Sequence, residues 1–300
     1  FLLAIRKEFE SQVWFPEPTH FVELPAGYQG TRAVALKSIR DRRRNGEQPI
    51  GMFSTYYREP PSASPNLPPA TTAEEALADL PTITAHLSGD LKRGPRRFDT
   101  VVPYPEGDSL TPYARLMRGW PGFEESEGIA DHVIRSLPRD YRIFRRMKPG
   151  DQYPQAHALA LRILDERIRA LARQGSVVQP GTTEYDSLKK SIVPPYDPSK
   201  FPNKWRKMEP NRPARTLLAH LGKDSYSHIH YDSTQARTIS VREAARLQSF
   251  PDGFCFRGTM NPAFRQIGNA VPPLLANALA HTLLEMIECE ATESPLADHL

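Results

Sequence analysis

Apolar residues recur at helical spacing in two long segments of the chain. In the first, over 156–174, the pattern is followed by Gly175, a residue type that commonly ends helices. Its apolar positions are Leu161, Leu164, Ile168 and Leu171. In the second, after Pro273, the apolar positions are Leu275, Leu279, Leu283, Met286 and Ile287. Each pattern predicts a long helix with one buried face.

Two shorter helices are predicted from capping signals. Thr72 with Glu75, and Ser240 with Glu243, match the capping box, in which each side chain accepts a hydrogen bond from the partner's backbone N–H. A proline follows the first of these helices at position 81. The second is expected to end at the Pro-Asp-Gly turn of 251–253.

The segment after that turn predicts a strand and then a bend. Phe-Cys-Phe at 254–256 is strand-like. Gly268 and Asn269 both tolerate positive φ and therefore predict a sharp turn before the prolines at 272–273. Such a turn can present backbone N–H groups and the Asn269 amide to a ligand. A purely structural turn is an equally good interpretation, and both stay open at this point.

The middle of the chain, 22–210, is weakly patterned. Proline makes up 30 of the 300 residues, which is about twice the usual share. Proline-rich stretches at 59–70 and 176–205 predict extended surface connections. We therefore expect a long, mainly irregular insert between better-formed ends.

Basic residues are clustered, although the net charge is only +4 and the pI about 9.0. The first island comprises Arg32, Lys37, Arg40, Arg42, Arg43 and Arg44. The second comprises Lys92, Arg93, Arg96 and Arg97. The third comprises Arg135, Arg139, Arg142, Arg145, Arg146 and Lys148. Such islands suit a polyanion partner, by phosphate neutralisation, or form solvated faces.

The ends of the chain and its cysteines bear on its compartment. No run of 18 apolar residues predicts a transmembrane helix, and the opening FLLAI is too short for a signal peptide. Phe1 in place of methionine suggests that the chain is part of a longer protein, a fragment or a processed product. Cys255 and Cys289 follow no pairing pattern, which favours a reducing cytoplasm, and we expect both to be inert packing thiols.

Two strings near the C-terminus resemble motifs of the DNA (cytosine-5) methyltransferases. TISVREAARLQSFPD resembles the ninth motif of this family, and RQIGNAVPPLLANAL resembles the tenth. RPARTLLAHLGKDSYSHIHYD at 212–232 is similar to the lead-in to the ninth motif. FLLAIRKEF with FPEPTH near the start, and ADLP at 78–81, resemble the region after the eighth motif. The resemblance frames the whole chain.

The resemblance implies a fold and a domain order. The fold class is α/β, the C-terminal part of a Rossmann-like S-adenosylmethionine-dependent methyltransferase with a large, mixed and irregular target-recognition domain. Residues 1–21 would be a terminal strand of the catalytic domain. Residues 22–257 would form the target-recognition domain, and residues 258–300 would return to the catalytic domain.

The resemblance also implies roles for individual residues. Those expected beside the cofactor S-adenosylmethionine are Asn269, Ala270 and Val271. Those expected at double-stranded DNA are Arg212, Arg215, Thr216 and Arg237, with His228 and His230 as candidates for lining the target pocket. Those expected to fix the fold are Ser240, Arg242, Glu243, Gln266 and Gly268. No metal site is expected, because two histidines alone do not make one.

The family's catalytic groups do not match any position in this chain. Its members attack cytosine with the thiolate of a Pro-Cys dipeptide, assisted by a Glu beside Asn-Val, and neither string occurs here. The resemblance therefore implies an N-terminal half, in the same longer chain or in a separate subunit, and a cytoplasmic, nucleoid-associated enzyme. A non-catalytic DNA-binding remnant or specificity subunit, and a tRNA cytosine methyltransferase relative, remain as alternatives.

Overall fold

The structure is a computed structural model, and it describes residues 14–24, 33, 37, 61–89, 100–107, 110–125 and 127–293. For residues 289–293 only the backbone is described. Residues 1–13 of the expected terminal strand at 1–21 lie outside these residues. So do the second basic island and, apart from Lys37, the first.

Helices dominate the described residues. In chain order they are α1 (Ala73–Leu77), α2 (Pro112–Arg118), α3 (Tyr141–Arg146), α4 (Tyr153–Arg173), α5 (Thr183–Ile192), the 3-10 helix η1 (Ala219–Gly222), α6 (Val241–Leu247), α7 (Met260–Asn269) and α8 (Pro273–Glu293). One antiparallel ribbon joins β1 (Val102–Pro103) to β2 (Gly128–Ile129), with Val102 opposite Ile129. The expected mixed class of helix and strand with long irregular segments is confirmed.

The chain forms two compact units. One consists of residues 1–70 together with 274–300, and the other of residues 71–273. In the first unit, Phe21 and Pro69 make an isolated parallel bridge. The second unit contains every element from α1 to α7. The boundaries expected at 22 and 258 remain predictions.

Two buried clusters hold the second unit together. The first cluster combines Ala73, Ala76 and Leu77 of α1 with apolar residues of η1, α6 and α7. The second cluster is centred on Trp205, which is fully buried and stacks on Tyr226 with ring centroids 4.7 Å apart. Helices α3 and α4 pack around this aromatic pair. The burial of these apolar groups stabilises the unit, since each large side chain removed from water contributes about 1.5–3 kcal/mol.

Helix α4 confirms the clearest periodic pattern in the sequence. It ends at Arg173, and Gly175 follows with φ +83°, as expected of a residue that stops a helix. Its start lies before the predicted one because Pro154 fits the first turn of a helix. Its buried face differs from the expected one: Ala156, Ala160, Ile163 and Leu164 are buried, whereas Leu161 is 38% exposed.

Helix α5 was missed by the sequence prediction, which treated 176–205 as irregular. The Thr182 hydroxyl accepts a hydrogen bond from the backbone N–H of Tyr185 and so caps this helix. Its apolar residues Leu188 and Ile192 pack against the cluster around Trp205. Packing onto that cluster, rather than a strong periodic signal, therefore decides that this segment is helical.

The predicted strand at 254–256 is wrong. Phe254, Cys255 and Phe256 are irregular: the Phe254 backbone N–H donates to the Pro251 carbonyl oxygen, and Arg242 donates to the Phe254 carbonyl oxygen. The rings of Phe254 and Phe256 pack 5.0 Å apart. Cys255 is exposed, which corrects its expected role as a packing thiol.

The predicted bend at Gly268 and Asn269 is also wrong, because both residues lie within α7. The chain leaves the helix at Ala270, which is extended with φ −75° and ψ 147°. Val271 comes next and precedes Pro272, and a residue that precedes proline disfavours helical backbone. The break between α7 and α8 therefore falls one residue later than expected.

The segment Met260–Glu288 is long and apolar enough to cross a membrane by length and composition alone. It is not one continuous helix, because the extended residue Ala270 separates α7 from α8. The α7 part buries Ala263, Phe264 and Ile267 in the protein core. We assign no membrane span to it.

Candidate nucleic-acid interface

Helix α6, in the segment that resembles the ninth motif, begins with a buried capping box. The Glu243 backbone N–H donates to the Ser240 hydroxyl oxygen over 3.0 Å, and the Ser240 backbone N–H donates to the Glu243 carboxylate over 2.7 Å. The Ser240 hydroxyl also contacts Nδ1 of His132. The predicted capping role of Ser240 and Glu243 is confirmed.

Arg237 lies inside the protein, with 1% of its surface exposed. Its Nη1 and Nη2 each donate to the Glu243 carboxylate over 2.6 Å, and its Nε and Nη2 donate to Oε1 of Gln235. Nη1 also reaches the Thr238 carbonyl oxygen. The expected DNA contact would need an exposed guanidinium, so the geometry supports a bracing role for Arg237 instead.

Burial and charge set the titration of this cluster. Burial alone would raise the pKa of Glu243, but the guanidinium of Arg237 outweighs it and the pKa is lowered far below its usual range. His230, whose Nε2 lies 3.5 Å from Glu243, has its pKa lowered to about 4 by burial and by Arg237. His230 is therefore a neutral core histidine at neutral pH.

Arg242 holds the turn that follows α6. Its guanidinium is fully buried and donates to the carbonyl oxygens of Ala130, Pro251 and Phe254. It also pairs with Asp131 over 3.1 Å. Burial raises the pKa of Asp131, and Arg242 offsets this only in part. These contacts support the structural role expected of Arg242, which stays a prediction.

Arg246 lies at the centre of a buried group of ion pairs that no sequence pattern predicts. It is fully buried and donates to two carboxylates, Asp252 at 2.5 Å and Asp79 at 2.8 and 3.0 Å. Asp79 also accepts from Arg118. The first partner is six residues away and the second 167 residues away. No local spacing rule predicts either pair.

The residues before α6 line an open cavity of about 440 Å³. We call it the 203–228 cavity, and its lining residues are Asn203, Lys204, Arg215, Thr216, Leu218, His220, Leu221, Asp224, Ser227 and His228. Two of the residues expected at DNA, Arg215 and Thr216, are therefore brought together there. Most of its lining residues have polar side chains, including the cations Lys204 and Arg215 and the carboxylate of Asp224, which suits a ligand with hydrogen-bonding edges.

His228 supports the wall of this cavity. It is 2% exposed, and its Nε2–H donates to the Arg215 carbonyl oxygen over 3.1 Å. The Ser227 hydroxyl contacts its Nδ1. Burial lowers the pKa of His228, so the ring is neutral at neutral pH. It therefore fixes the backbone of Arg215 rather than contributing charge.

Arg215 is an exposed cation with no carboxylate partner among the described residues. Partial desolvation and the neighbouring Arg206 lower its pKa. Arg206 and Arg212 each lie 3.8 Å from Glu209, at the edge of ion-pair distance. Positive charge therefore predominates around Arg215, as a phosphate contact requires.

Helix α7 packs directly on the end of this cavity wall. A β-carbon at Gly268 would overlap the peptide group between Leu218 and Ala219, so only glycine allows the approach. Gln266 is among the residues expected to fix the fold. Its side chain accepts a hydrogen bond from the Arg257 backbone N–H and donates one to the Arg257 carbonyl oxygen, so it ties α7 to the segment before it.

The segment expected beside the cofactor begins with Asn269, the last residue of α7, and continues through Ala270 and Val271. Asn269 and Val271 are exposed, and Ala270 is half-buried. The Gln248 side chain at the end of α6 donates to the Ala270 carbonyl oxygen over 2.9 Å. The 269–271 segment is thus anchored from two sides, by Gln248 and by the packing of Gly268.

No group of His, Cys, Asp and Glu in the described part of the chain has an arrangement that could hold a metal ion.

Comparison with known proteins identifies the class. Residues 148–285 match the family model of the C-5 cytosine-specific DNA methylases. The resemblance drawn from the ninth and tenth motifs is therefore confirmed.

Curated relatives extend the match beyond that segment. A type II methyltransferase of Oceanobacillus iheyensis is 35% identical over 288 residues, which cover 96% of this chain and 58% of the relative. A type II methyltransferase of Thalassovita gelatinovora is 32% identical, covering 73% of this chain and 52% of the relative. A DNA (cytosine-5-)-methyltransferase of Aeropyrum pernix is 28% identical, covering 59% and 44%.

The chain is thus a relative of the DNA cytosine-5 methyltransferases, and it spans about half the length of the curated relatives it matches.

Proposed function

We propose that the chain supplies the target-recognition and C-terminal part of a DNA (cytosine-5) methyltransferase. The reaction transfers a methyl group from S-adenosylmethionine to C5 of cytosine in duplex DNA. The observation that carries this proposal is the packing of Gly268 on the Leu218–Ala219 peptide, since it joins the 203–228 cavity to the segment expected beside the cofactor. Residues 22–257 read DNA, and residues 1–21 and 258–300 belong to the catalytic domain.

The DNA-reading residues proposed here are Arg212, Arg215 and Thr216. Each has an exposed side chain; Arg212 lies 3.8 Å from Glu209, and Arg215 has no carboxylate partner among the described residues. Guanidinium groups suit both phosphates and guanine edges. Arg237 is reassigned to bracing because its side chain is buried against Glu243.

The cofactor contacts proposed here are Asn269, Ala270 and Val271. When bound, S-adenosylmethionine supplies the methyl group. The chemistry of the three residues fits one edge of such a ligand: an exposed amide suits its polar amino-acid end, and an exposed valine suits apolar contact. Gln248 keeps this edge in place through its hydrogen bond to the Ala270 carbonyl oxygen.

The nucleophile is proposed to come from an N-terminal half, in the same longer chain or in a separate subunit. The sequence has no Pro-Cys dipeptide, and the exposed Cys255 follows a phenylalanine. A cysteine nucleophile needs an environment that favours its thiolate. The chain alone would therefore be inactive, and the assembled enzyme would work in the cytoplasm with the nucleoid, as part of a type II restriction–modification system.

The test is to produce the chain with and without the polypeptide encoded immediately upstream, and to measure tritiated methyl transfer to cytosine in duplex DNA. We expect transfer only from the combination, and loss of transfer when the Pro-Cys cysteine of the upstream part is changed to serine. Transfer by this chain alone would refute the proposed origin of the nucleophile. Inactivity of the combination with retained DNA binding would favour a non-catalytic DNA-binding remnant, and transfer to tRNA alone would favour the tRNA-directed alternative.

A further inference from the structure

A second cavity, of about 390 Å³, lies where α4 packs against α3 and α5. We call it the α3–α5 cavity. Its floor includes the buried side chains of Ile143 and Ile163, and its rim carries Arg139, Arg142 and Arg167. No carboxylate is among its lining residues. It shares no lining residue with the 203–228 cavity.

Arg139 is held in a fixed orientation at this rim. Its Nε and Nη2 donate to the two carboxylate oxygens of Asp140, over 2.6 and 3.0 Å. Asp140 is 1% exposed and also accepts from the hydroxyl of Tyr226 over 2.7 Å. The buried Asp140 carboxylate thus occupies the Nε and Nη2 edge of the guanidinium and leaves Nη1 for a ligand.

Arg142 and Arg167 have exposed side chains with no hydrogen-bond or ion-pair partner among the described residues. Arg142 belongs to the third basic island, and two other arginines of that island already have hydrogen-bond partners. Arg146 makes a bidentate pair with Glu166, and Arg135 donates to the Leu221 carbonyl oxygen. The structure therefore separates the island into arginines that serve the fold and arginines whose charge is uncompensated.

Arg139 is already paired with Asp140, but Arg142 and Arg167 at the same rim have no carboxylate partner among the described residues, so their charges repel each other unless an anion lies between them. The planar guanidinium fork matches the oxygens of a phosphate, and a fixed fork loses less side-chain entropy on binding than a mobile one. We propose that Arg139, Arg142 and Arg167 form a binding site for a backbone phosphate of duplex DNA. The proposal rests on the proposed DNA-reading function, and it adds a contact on the helical part of the insert.

The test measures binding of the 300-residue protein to a fluorescein-labelled duplex DNA by anisotropy over a series of salt concentrations. The double variant Arg142→Ala/Arg167→Ala should raise Kd on the order of tenfold at 0.1 M salt and reduce the slope of log K against log salt by about 1, the value for one phosphate contact. The matched control is Arg145→Ala/Arg169→Ala, which removes two exposed arginines of the same helices that do not line the cavity. It should change Kd by less than about threefold.

A second variant separates loss of charge from loss of fold. Arg142→Lys/Arg167→Lys keeps both charges, so the salt slope should stay at the wild-type value, and circular dichroism should show the same helix content for all variants. Equal Kd and equal salt slope for the alanine double variant and the wild type would overturn the phosphate site while leaving the proposed function intact. Failure of the wild-type protein to bind duplex DNA would overturn the proposed function and this site together.

Discussion

Gly268 of α7 lies against the carbonyl group of Leu218, so closely that a β-carbon at residue 268 would overlap it. Its backbone is helical, so glycine is not needed there for a positive φ. It is needed because another segment of the chain occupies the space of a side chain. This contact joins α7 to the wall of the 203–228 cavity.

Gly268→Ala should destabilise the second unit. The added methyl group forces the Leu218–Ala219 peptide or α7 to shift, and overpacking of this kind costs about 1–3 kcal/mol. Urea unfolding followed by circular dichroism measures the change. Gly107→Ala is the matched control, since a β-carbon there meets no atom within 4 Å, and it should leave the free energy of unfolding unchanged or slightly raised.

Arg246→Met should be among the most destabilising single substitutions in this chain. It leaves Asp252 and Asp79 without their buried cationic partner, and breaking a buried pair in this way costs about 3–5 kcal/mol. The comparison is Arg146→Met, whose pair with Glu166 is exposed and should contribute little to stability. Similar urea midpoints for the two variants would contradict the role of Arg246 as a structural centre.

Stability should fall as the pH is lowered from 6.5 towards 4. The pKa of His230 is lowered from 6.5 to about 4, so in this window the unfolded chain binds a proton that the folded chain does not. The stabilisation of the folded state by neutral His230 is therefore complete above pH 6.5. On acidification below pH 6.5 the free energy of unfolding falls by about 1.4 kcal/mol per pH unit. Burial also lowers the pKa of His132 and His228, which adds to the same trend.

The variant His230→Gln tests this assignment. Glutamine can still accept the hydrogen bond from the Asp232 backbone N–H but cannot titrate. The free energy of unfolding, measured with urea at pH 5 and at pH 6.5, should differ less between the two pH values for the variant than for the wild type. Its slope against pH should be smaller by about 1.4 kcal/mol per pH unit, the value for one bound proton. An unchanged difference would mean that other groups carry the pH dependence.

Ser240→Ala should cost more stability than Thr72→Ala, although both residues cap helices. Loss of an N-cap hydroxyl costs about 0.5–2 kcal/mol. Ser240 is buried and also contacts His132, whereas the Thr72 cap is exposed to water that can replace it. Ser240→Thr keeps the hydroxyl and should recover most of the loss. Equal losses at the two sites would mean that burial does not strengthen the cap.

Much of the local structure follows from the sequence alone. The two capping boxes, the long helix α4 and the last helix α8 are all correctly predicted, because their signals lie within three or four residues along the chain. The ninth and tenth motifs likewise identify the family. Hydrogen bonds between residues three or four apart depend on the local backbone conformation, which those residues themselves determine.

Only the tertiary structure decides the roles of the charged residues. Arg237, expected at the DNA, is buried against Glu243, and Arg246, which carried no sequence signal, joins carboxylates six and 167 residues away. Gly268 was expected to make a bend and instead makes room for Leu218. Whether an arginine braces the core or remains free for a ligand depends on which distant carboxylates packing brings within hydrogen-bond distance. That selection is made when the segments fold together, so no stretch of sequence read by itself contains it.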